Sequence, residues 1–292
     1  MIADFKNSSH WKNWHFTREQ LTANTLKLQD GFTAEDVETI LQYFIVYLLS
    51  LGREKAESIK ITESAMYLFR RFYAKNTIFD ADPLIVAPTC YCLANKFEDN
   101  TYKVDHDRIL RFNTVFPRTY IDKQNEMIME YFVLSELNFE LIIYGPNRIL
   151  MQFCSDARVP EAVVVTAVGI LNDSYLLDVC LTEDPYTIAL ACLWESSLIH
   201  SIDLREFFAT INFDMDRMLI LGERLRKNSA KQFNMADAID KVKNFVNKTT
   251  FESPMTFVSE DPIIEEPIRM VIDREGPEGE IQESTRSIVE FI

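Results

Sequence analysis

Glycine is scarce in this sequence, with only 7 among 292 residues. Two of them, Gly276 and Gly279, lie close to the last residue of the sequence. Tight hairpin turns and phosphate-binding loops depend on glycine, because a side chain would obstruct their backbone conformation or their close approach to a ligand. The shortage therefore disfavours a β-rich fold and favours an all-helical one.

Positive charge is also in short supply. Lys and Arg total 30 against 45 Asp and Glu, which gives a formal net charge of −15. Nucleic acids and anionic membranes attract clustered Lys and Arg side chains, so this balance argues against direct binding to either. One nearly uncharged run extends from Asp82 to Asp99, but it is too short and too interrupted to cross a membrane.

Motifs of catalysis and of metal binding are absent as well. The sequence has no Gly-rich phosphate loop, no Gly-x-Ser-x-Gly and no His-Glu-x-x-His, and its four histidines are scattered. Cys90 and Cys92 are two residues apart, so on a helix they point in different directions and make poor joint metal ligands. The five cysteines, odd in number and mainly in apolar runs, indicate reduced thiols in an intracellular protein. We therefore expect no enzymatic activity, no metal and no cofactor.

The sequence does contain one helical unit used twice. DPLIVAPTC, from Asp82 to Cys90, returns as DPYTIALAC, from Asp184 to Cys192. In each copy the aspartate side chain can accept a hydrogen bond from one of the free amides in the first turn of a helix, and the proline suits the first helical position. The pattern predicts a buried helix with a marked start in each of two repeats.

Helical periodicity surrounds both runs and predicts five helices in each repeat. In the fifth helix, Met127, Tyr131, Leu134 and Leu137 form the predicted buried face. We therefore predict an all-α protein made of two tandem five-helix folds. The predicted helices lie near 33–52, 57–74, 82–99, 105–112 and 120–137 in the first repeat, and near 147–156, 160–176, 184–200, 204–209 and 214–232 in the second.

These helices divide the chain into four parts. Residues 1–30 form an N-terminal segment with one amphipathic helix, which we expect to pack on the body of the chain. Residues 31–140 form the first fold and residues 141–235 the second. Residues 236–292 form a C-terminal extension in which no helical stripe persists after about Lys248. Its acids outnumber its bases and prolines interrupt it, so we predict an acidic, disordered tail.

Several motifs resemble those of the cyclin family. The run RRFYAKNTIFDADPLIVAPTCYCLANKFED, from Arg70 to Asp99, is similar to the centre of a cyclin box, and its use twice resembles the two cyclin folds. NSSHWKNW from Asn7 and ILNDSYLLDVCL from Ile170 are most similar to the C-type cyclins, which serve the kinase attached to the Mediator complex of RNA polymerase II transcription. The resemblance covers roughly residues 1–235.

The resemblance implies a regulatory subunit that performs no chemistry itself. Such a subunit binds a cyclin-dependent kinase of the Mediator-associated type and activates it allosterically. The implied location is the nucleus, and other subunits of the Mediator kinase module are further expected partners.

The resemblance also implies a kinase-binding site. In cyclins, the lysine of the LANKFE-like motif and the glutamate of the MEYFVL-like motif bond to the kinase segment that leads into its C-helix. These residues are Lys96 and Glu130 in this sequence. Phe72, Tyr73 and Phe97 lie near the family's contact helices, and some of these aromatic side chains belong to the core. Without the resemblance, Lys96 and Glu130 would be ordinary surface charges.

Two other family sites are altered here. VETILQYF from Val37 stands where cell-cycle cyclins carry a substrate-docking patch, but Glu38 replaces its arginine and Phe44 its tryptophan. Asn172 and Asp173 match an Asn-Asp pair in a surface groove of C-type cyclins, whose flanking tryptophans are absent here. The resemblance therefore does not carry the ligands of either site over to this chain.

Two alternative functions stay open. A general transcription factor of the TFIIB type uses the same paired fold, but it needs a basic surface and a cysteine-rich zinc ribbon. The acidity of this chain and the absence of any Cys-x-x-Cys argue against that function. A kinase-independent scaffold is the other alternative, and in it Lys96 and Glu130 would be bystanders.

Overall fold

The computed structural model describes residues 2–25, 31–55, 59–98, 123–231 and 233–251. Within these ranges the regular secondary structure is entirely helical, which confirms the predicted all-α class. The described helices are α1 (Ile2–Asn7), α2 (Ser9–Trp14), α3 (Arg18–Thr25), α4 (Ala34–Lys55), α5 (Ile59–Lys75), α6 (Pro83–Phe97), α7 (Lys123–Glu136), α8 (Pro146–Asp156), α9 (Glu161–Ser174), α10 (Val179–Thr182), α11 (Pro185–Ile199), α12 (Arg205–Ala209), α13 (Met215–Ala230) and α14 (Met235–Lys248).

The central helix of the first repeat is α6, which is buried from Pro83 to Asn95. Its start is as predicted, because the Asp82 carboxylate accepts a 2.9 Å hydrogen bond from the Leu84 amide and proline occupies the first turn. Helices α4, α5 and α7 pack against it. The helix predicted at 105–112 lies outside the described residues.

The central helix of the second repeat, α11, has the same kind of start. Asp184 accepts a 2.9 Å hydrogen bond from the Thr187 amide and a 2.6 Å hydrogen bond from the Thr187 hydroxyl. Helices α8, α9 and α13 pack around α11, which is buried over most of its length. The prediction of one helical unit used twice is confirmed.

The N-terminal segment packs on the body of the chain, as expected. The Trp14 side chain is fully buried, and the Phe16 amide donates a 2.8 Å hydrogen bond to the Leu181 carbonyl of the second repeat. The segment forms three short helices, α1 to α3, where a single helix was predicted. The backbone is non-helical between α2 and α3, where it makes that bond to the second repeat.

Helix α14 corrects the predicted C-terminal extension. Residues 236–248 were assigned to an extension outside the two folds, whereas they form most of a helix that packs on α4 of the first repeat. Its buried side chains are Ala238, Val242 and Phe245. This stripe is narrow and charged residues surround it, so the sequence pattern did not separate it from the acidic tail. Residues 252–292 lie outside the described part of the chain.

None of the described helices is both long enough and apolar enough to cross a bilayer.

Candidate functional site

Lys96 and Glu130 form an ion pair on the surface of the first repeat. The Lys96 ammonium lies 2.5 Å from Glu130 Oε1 and 2.6 Å from Oε2. Lys96 is in the last turn of α6 and Glu130 is in α7, and the packing of these two helices brings the side chains together. The lysine side chain is 41% exposed and the glutamate 14%. A positive and a negative charge therefore lie side by side at the surface, and the Glu130 side chain is the more buried of the two.

The end of α6 is fastened to α5, which fixes the position of Lys96. The Glu98 carboxylate accepts a 3.0 Å hydrogen bond from the Ser64 hydroxyl and pairs with the Lys60 ammonium. Phe97 is half-buried and packs against the hydrophobic core. Part of the Phe97 side chain therefore stays exposed at the end of α6.

Phe72 and Tyr73 belong to the core, which corrects their assignment to the kinase-binding surface. Phe72 is 1% exposed and Tyr73 is 8% exposed. The Tyr73 hydroxyl donates a 2.9 Å hydrogen bond to the Ala81 carbonyl, and the Phe72 ring packs edge-on against Phe132 with 5.9 Å between centroids. These side chains support α5 and offer almost no surface to another protein.

The outward face of α7 carries apolar side chains that the sequence prediction placed inside. Met127 is 63% exposed and Tyr131 is 54% exposed, whereas Met129 and Val133 of the same helix are buried. Phe139, just after the helix, is 60% exposed and lies with its ring centroid 6.4 Å from that of Tyr131. Met127, Tyr131 and Phe139 are called the α7 patch below.

The helix has apolar residues on both sides, so periodicity alone could not show which side faces the core. Of the four predicted inward residues, Leu137 is buried as predicted and Leu134 is partly buried. Sequence reasoning therefore missed the α7 patch as a surface, although its residues were already known to be apolar.

Asn172 and Asp173, the predicted groove pair, open into different cavities. Asn172 lines a cavity of about 270 Å³ together with Glu63 and Tyr175. Asp173 lines a separate cavity of about 730 Å³, next to Arg224. The two residues are neighbours at the end of α9, but the structure divides the predicted groove between two spaces.

Some polar groups around the larger cavity bond to each other or to nearby residues. The Asp173 carboxylate accepts a 2.8 Å hydrogen bond from the Ser229 hydroxyl. The backbone carbonyl of Asp173 accepts a 3.0 Å hydrogen bond from the side-chain amide of Asn228. Arg224 pairs with Asp178. The contacts of Asp173 join α9 to α13, whereas Nη1 of Arg224 is buried without a hydrogen-bond partner among the described residues.

The decisive comparison is with a curated relative. Cyclin-C of Rattus norvegicus is 31% identical to the chain over 229 residues, which are 75% of this chain and 80% of the rat protein. The chain belongs to the cyclin C family. Cyclin-C of Drosophila melanogaster is 28% identical to this cyclin over 229 residues, with 75% of this chain and 85% of the fly protein covered. No protein-family model matches the sequence.

Solved structures show the same fold as this cyclin. A chain in the CAK complex of Chaetomium thermophilum bound to ATP-γ-S has a TM-score of 0.65 and 19% identity, with 88% of each chain covered. A chain in the yeast RNA Pol II CTD kinase CTDK-1 complex has a TM-score of 0.61 and 14% identity, with 86% of this chain and 89% of that chain covered. At these identities the likeness concerns the fold.

The α4 segment at the place of the cell-cycle docking patch faces the core of this cyclin. Val37, Ile40 and Phe44 are buried. The Glu38 carboxylate accepts a 3.1 Å hydrogen bond from the Arg70 guanidinium, and α14 packs along the same helix. These apolar side chains therefore serve internal packing, which agrees with the altered sequence of the segment.

The cysteines of this cyclin are buried free thiols. Burial raises the pKa of Cys154 to about 11 and that of Cys180 to about 12. It also raises the pKa of Cys90 and of Cys192. At neutral pH these groups remain protonated and are poor nucleophiles. In the part of the chain that the structure describes, no three His, Cys, Asp or Glu side chains converge into a metal site.

Proposed function

We propose that this cyclin binds and allosterically activates a cyclin-dependent protein kinase of the type attached to the Mediator complex. Membership of the cyclin C family supports the class of partner. The kinase complexes named for the structural relatives, including the RNA Pol II CTD kinase complex, support a role in transcription. The protein would then act in the nucleus, with other subunits of the Mediator kinase module as further partners.

The observation that carries the proposal is the position of the Lys96–Glu130 pair beside exposed apolar surface. Met127, a member of the α7 patch, lies three residues before Glu130 in α7, so the two side chains share one face of the helix. A cation and an anion in fixed positions can bond to a peptide backbone and set its register, and such bonds strengthen when water is excluded. The α7 patch and the exposed part of Phe97 would exclude that water. We assign these residues to the kinase-binding surface.

The mechanism requires no chemistry by the cyclin. Its rigid helices would hold the kinase C-helix inward, so that the kinase's own glutamate reaches the lysine that binds ATP. Tighter binding to this active arrangement than to the inactive one supplies the driving free energy. An interface of this kind buries about 2,000 Å² or more and depends on a few aromatic anchors.

The test is co-expression of the full chain with the Mediator-associated kinase, followed by co-elution and substrate phosphorylation. Lys96→Ala/Glu130→Ala should weaken binding at least about tenfold and reduce activation, because truncation leaves groups of the kinase unpaired. The matched control is Lys227→Ala/Glu223→Ala, which removes a Lys–Glu pair exposed on α13. This control should bind and activate like the wild type.

Each contrary outcome points to a different error. If the wild-type chain neither co-elutes with the kinase nor activates it, the assigned partner is wrong. If the Lys96/Glu130 variant binds and activates normally, the assigned surface is wrong. Binding without activation by the wild type would instead support a kinase-bound scaffold.

A further inference from the structure

Glu63 is a carboxyl group buried at the junction of the two repeats. It lies in α5 of the first repeat and is 5% exposed. The Tyr175 hydroxyl donates a 2.5 Å hydrogen bond to Glu63 Oε1, and the Asn147 amide donates a 3.1 Å hydrogen bond to the same oxygen. Both donors belong to the second repeat. Oxygen Oε1 of Glu63, in the first repeat, therefore accepts hydrogen bonds from two segments of the second repeat.

The other carboxylate oxygen lies against the connector between the repeats, which comprises residues 137–145 between α7 and α8. A Cβ atom added at Gly145 would overlap the Glu63 carboxylate, so only glycine allows the connector to pass this closely. The backbone angles of Gly145, φ −86° and ψ 147°, suit any residue. The requirement for glycine therefore arises from this one contact.

A cavity of about 270 Å³ adjoins the carboxyl group. Its walls are largely apolar, and they include Leu49, Ile59 and Met66 from the first repeat and Tyr175 from the second. A space of this volume can admit water. The junction therefore has room to change its hydration when the charge of Glu63 changes.

Among the described residues, no cation is bound to the Glu63 carboxylate. In the described residues, the Lys60 ammonium pairs with Glu98 rather than with Glu63. The groups that face Glu63 or line its cavity are Lys60 and Tyr67 from α5, Arg53 from α4, Glu98 from the end of α6, and Tyr175 with Cys180 behind it from the second repeat. Burial is the main cause that raises the pKa of Glu63, to about 7, and the nearby charge of Glu98 also raises it. The hydrogen bonds from Tyr175 and Asn147 and the charge of Lys60 lower the pKa by smaller amounts.

We infer that the junction between the two repeats tightens when Glu63 takes up a proton and loosens when Glu63 ionises. A carboxylate without a bound cation is costly to keep in a buried site, and opening of the junction to water removes that cost. The protonated carboxyl keeps its acceptor oxygen for Tyr175 and Asn147 without the charge. The two folds are thus joined by a group whose protonation changes the strength of the joint.

The direction of the pH dependence follows from the two pKa values of Glu63. The pKa is about 7 in the closed junction and 4.5 for an ordinary glutamate in water, which represents the open junction. Between these values the closed junction binds a proton that the open junction has lost. The opening equilibrium therefore rises by up to about tenfold per pH unit from about pH 4.5 to about pH 7 and then levels off.

The test is site-resolved hydrogen exchange of the Asn147 amide in the full chain between pH 5 and pH 8, corrected for the intrinsic exchange rate. We expect the corrected opening constant of the wild type to rise with pH and then reach a plateau. Glu63→Gln keeps the size of the side chain but does not titrate, so its opening constant should stay flat. Glu223→Gln, at an exposed position of α13, should behave like the wild type.

Two results would overturn the inference. One is a wild-type opening constant that does not change with pH, and the other is an unchanged pH dependence in Glu63→Gln. If Glu63→Gln does not fold, Tyr175→Phe provides the test, because loss of the donated hydrogen bond raises the pKa of Glu63 further. Its plateau should then move to higher pH, and an unmoved plateau would also contradict the inference.

Discussion

The indole of Trp14 donates a 2.7 Å hydrogen bond to Glu140, which lies 126 residues further along the chain. The second oxygen of this carboxylate accepts a 2.6 Å hydrogen bond from Asn13. The Lys75 ammonium lies 4.0 Å from the centroid of the indole ring and adds a cation–π contact. Since Glu140 belongs to the connector between the repeats, the N-terminal segment is fastened to that connector.

Replacement of Trp14 should therefore destabilise the whole protein. We expect Trp14→Ala to lower the free energy of unfolding by about 3–5 kcal/mol, because the ring is fully buried. Trp14→Phe should cost about 1–3 kcal/mol, since it keeps most of the packing but removes the donor of one Glu140 carboxylate oxygen. Urea unfolding followed by circular dichroism measures both values. Trp11→Ala is the control, because Trp11 is only half-buried; equal losses for the two Trp→Ala variants would contradict this prediction.

His10 should make the stability fall in mild acid. Its Nδ1 accepts a 3.0 Å hydrogen bond from the Tyr144 amide, so this nitrogen carries no proton in the folded protein. Burial, with smaller contributions from Arg71 and His15, lowers the pKa of His10 from 6.5 to about 2. Between these values the unfolded state binds a proton that the folded state does not. The His10 contribution to the free energy of unfolding is therefore complete above pH 6.5 and falls by about 1.4 kcal/mol per pH unit below it.

The measurement for His10 is urea unfolding at pH 7.5, 6.5 and 5.5, values chosen to bracket its pKa in the unfolded chain. His10→Gln should lose this part of the pH dependence, whereas His200→Gln should retain it. An identical dependence in the wild type and in His10→Gln would show that another group is responsible. The sign is opposite to that expected for Glu63, so the two effects oppose each other in the wild type, and comparison with His10→Gln separates them.

Two glycines offer a matched pair of Gly→Ala substitutions. At Gly145 a Cβ atom would overlap the Glu63 carboxylate, whereas at Gly169, within α9, it would meet no atom within 4 Å. We expect Gly145→Ala to lower the free energy of unfolding by about 1–3 kcal/mol. Gly169→Ala should raise it by about 0.5–1 kcal/mol, because alanine is the better helix former.

Thermal unfolding of both glycine variants, with Glu63→Ala/Gly145→Ala as a third, completes this test. The double variant should lose less than the sum of its two single losses, because removal of the carboxylate makes room for the added methyl group. If the losses in free energy of unfolding simply add, the cost of Gly145→Ala does not arise from its contact with Glu63.

Helix α14 should stabilise the first repeat although it follows the second in sequence. Phe245 is fully buried and lies 6.0 Å, between ring centroids, from both Phe32 and Phe79 of the first repeat. We expect Phe245→Ala to cost about 3–5 kcal/mol. Asn244→Ala, at the exposed neighbouring position, should stay within about 0.5 kcal/mol of the wild type. Urea unfolding tests the difference, and a similar small effect for both variants would mean that α14 is dispensable.

Local signals in the sequence predicted the repeat well. Asp82 and Asp184 cap their helices through contacts with amides two or three residues away, so the sequence contains all of that interaction. The prediction that Trp14 and its neighbours pack inward also depended only on a local pattern, because large apolar side chains are rarely exposed together.

Contacts between distant segments were less predictable. Lys96 and Glu130 could be paired in advance only through the family resemblance, because each alone is an ordinary charged residue. Met127 and Tyr131 of the α7 patch were assigned to the wrong side of the helix, since both sides are apolar. Nothing in the sequence indicated that Glu63 is buried. Its burial depends on Gly145, Asn147 and Tyr175, which the fold brings together from distant parts of the sequence.

The two ends of the described chain cross over. The segment that precedes the first repeat bonds to Leu181 of the second, and α14, which follows the second repeat, packs on α4 of the first. Neither repeat can unfold without releasing a segment that the other one holds. The two repeats should therefore melt in a single cooperative transition, and a cut between them should yield two halves that are each incomplete.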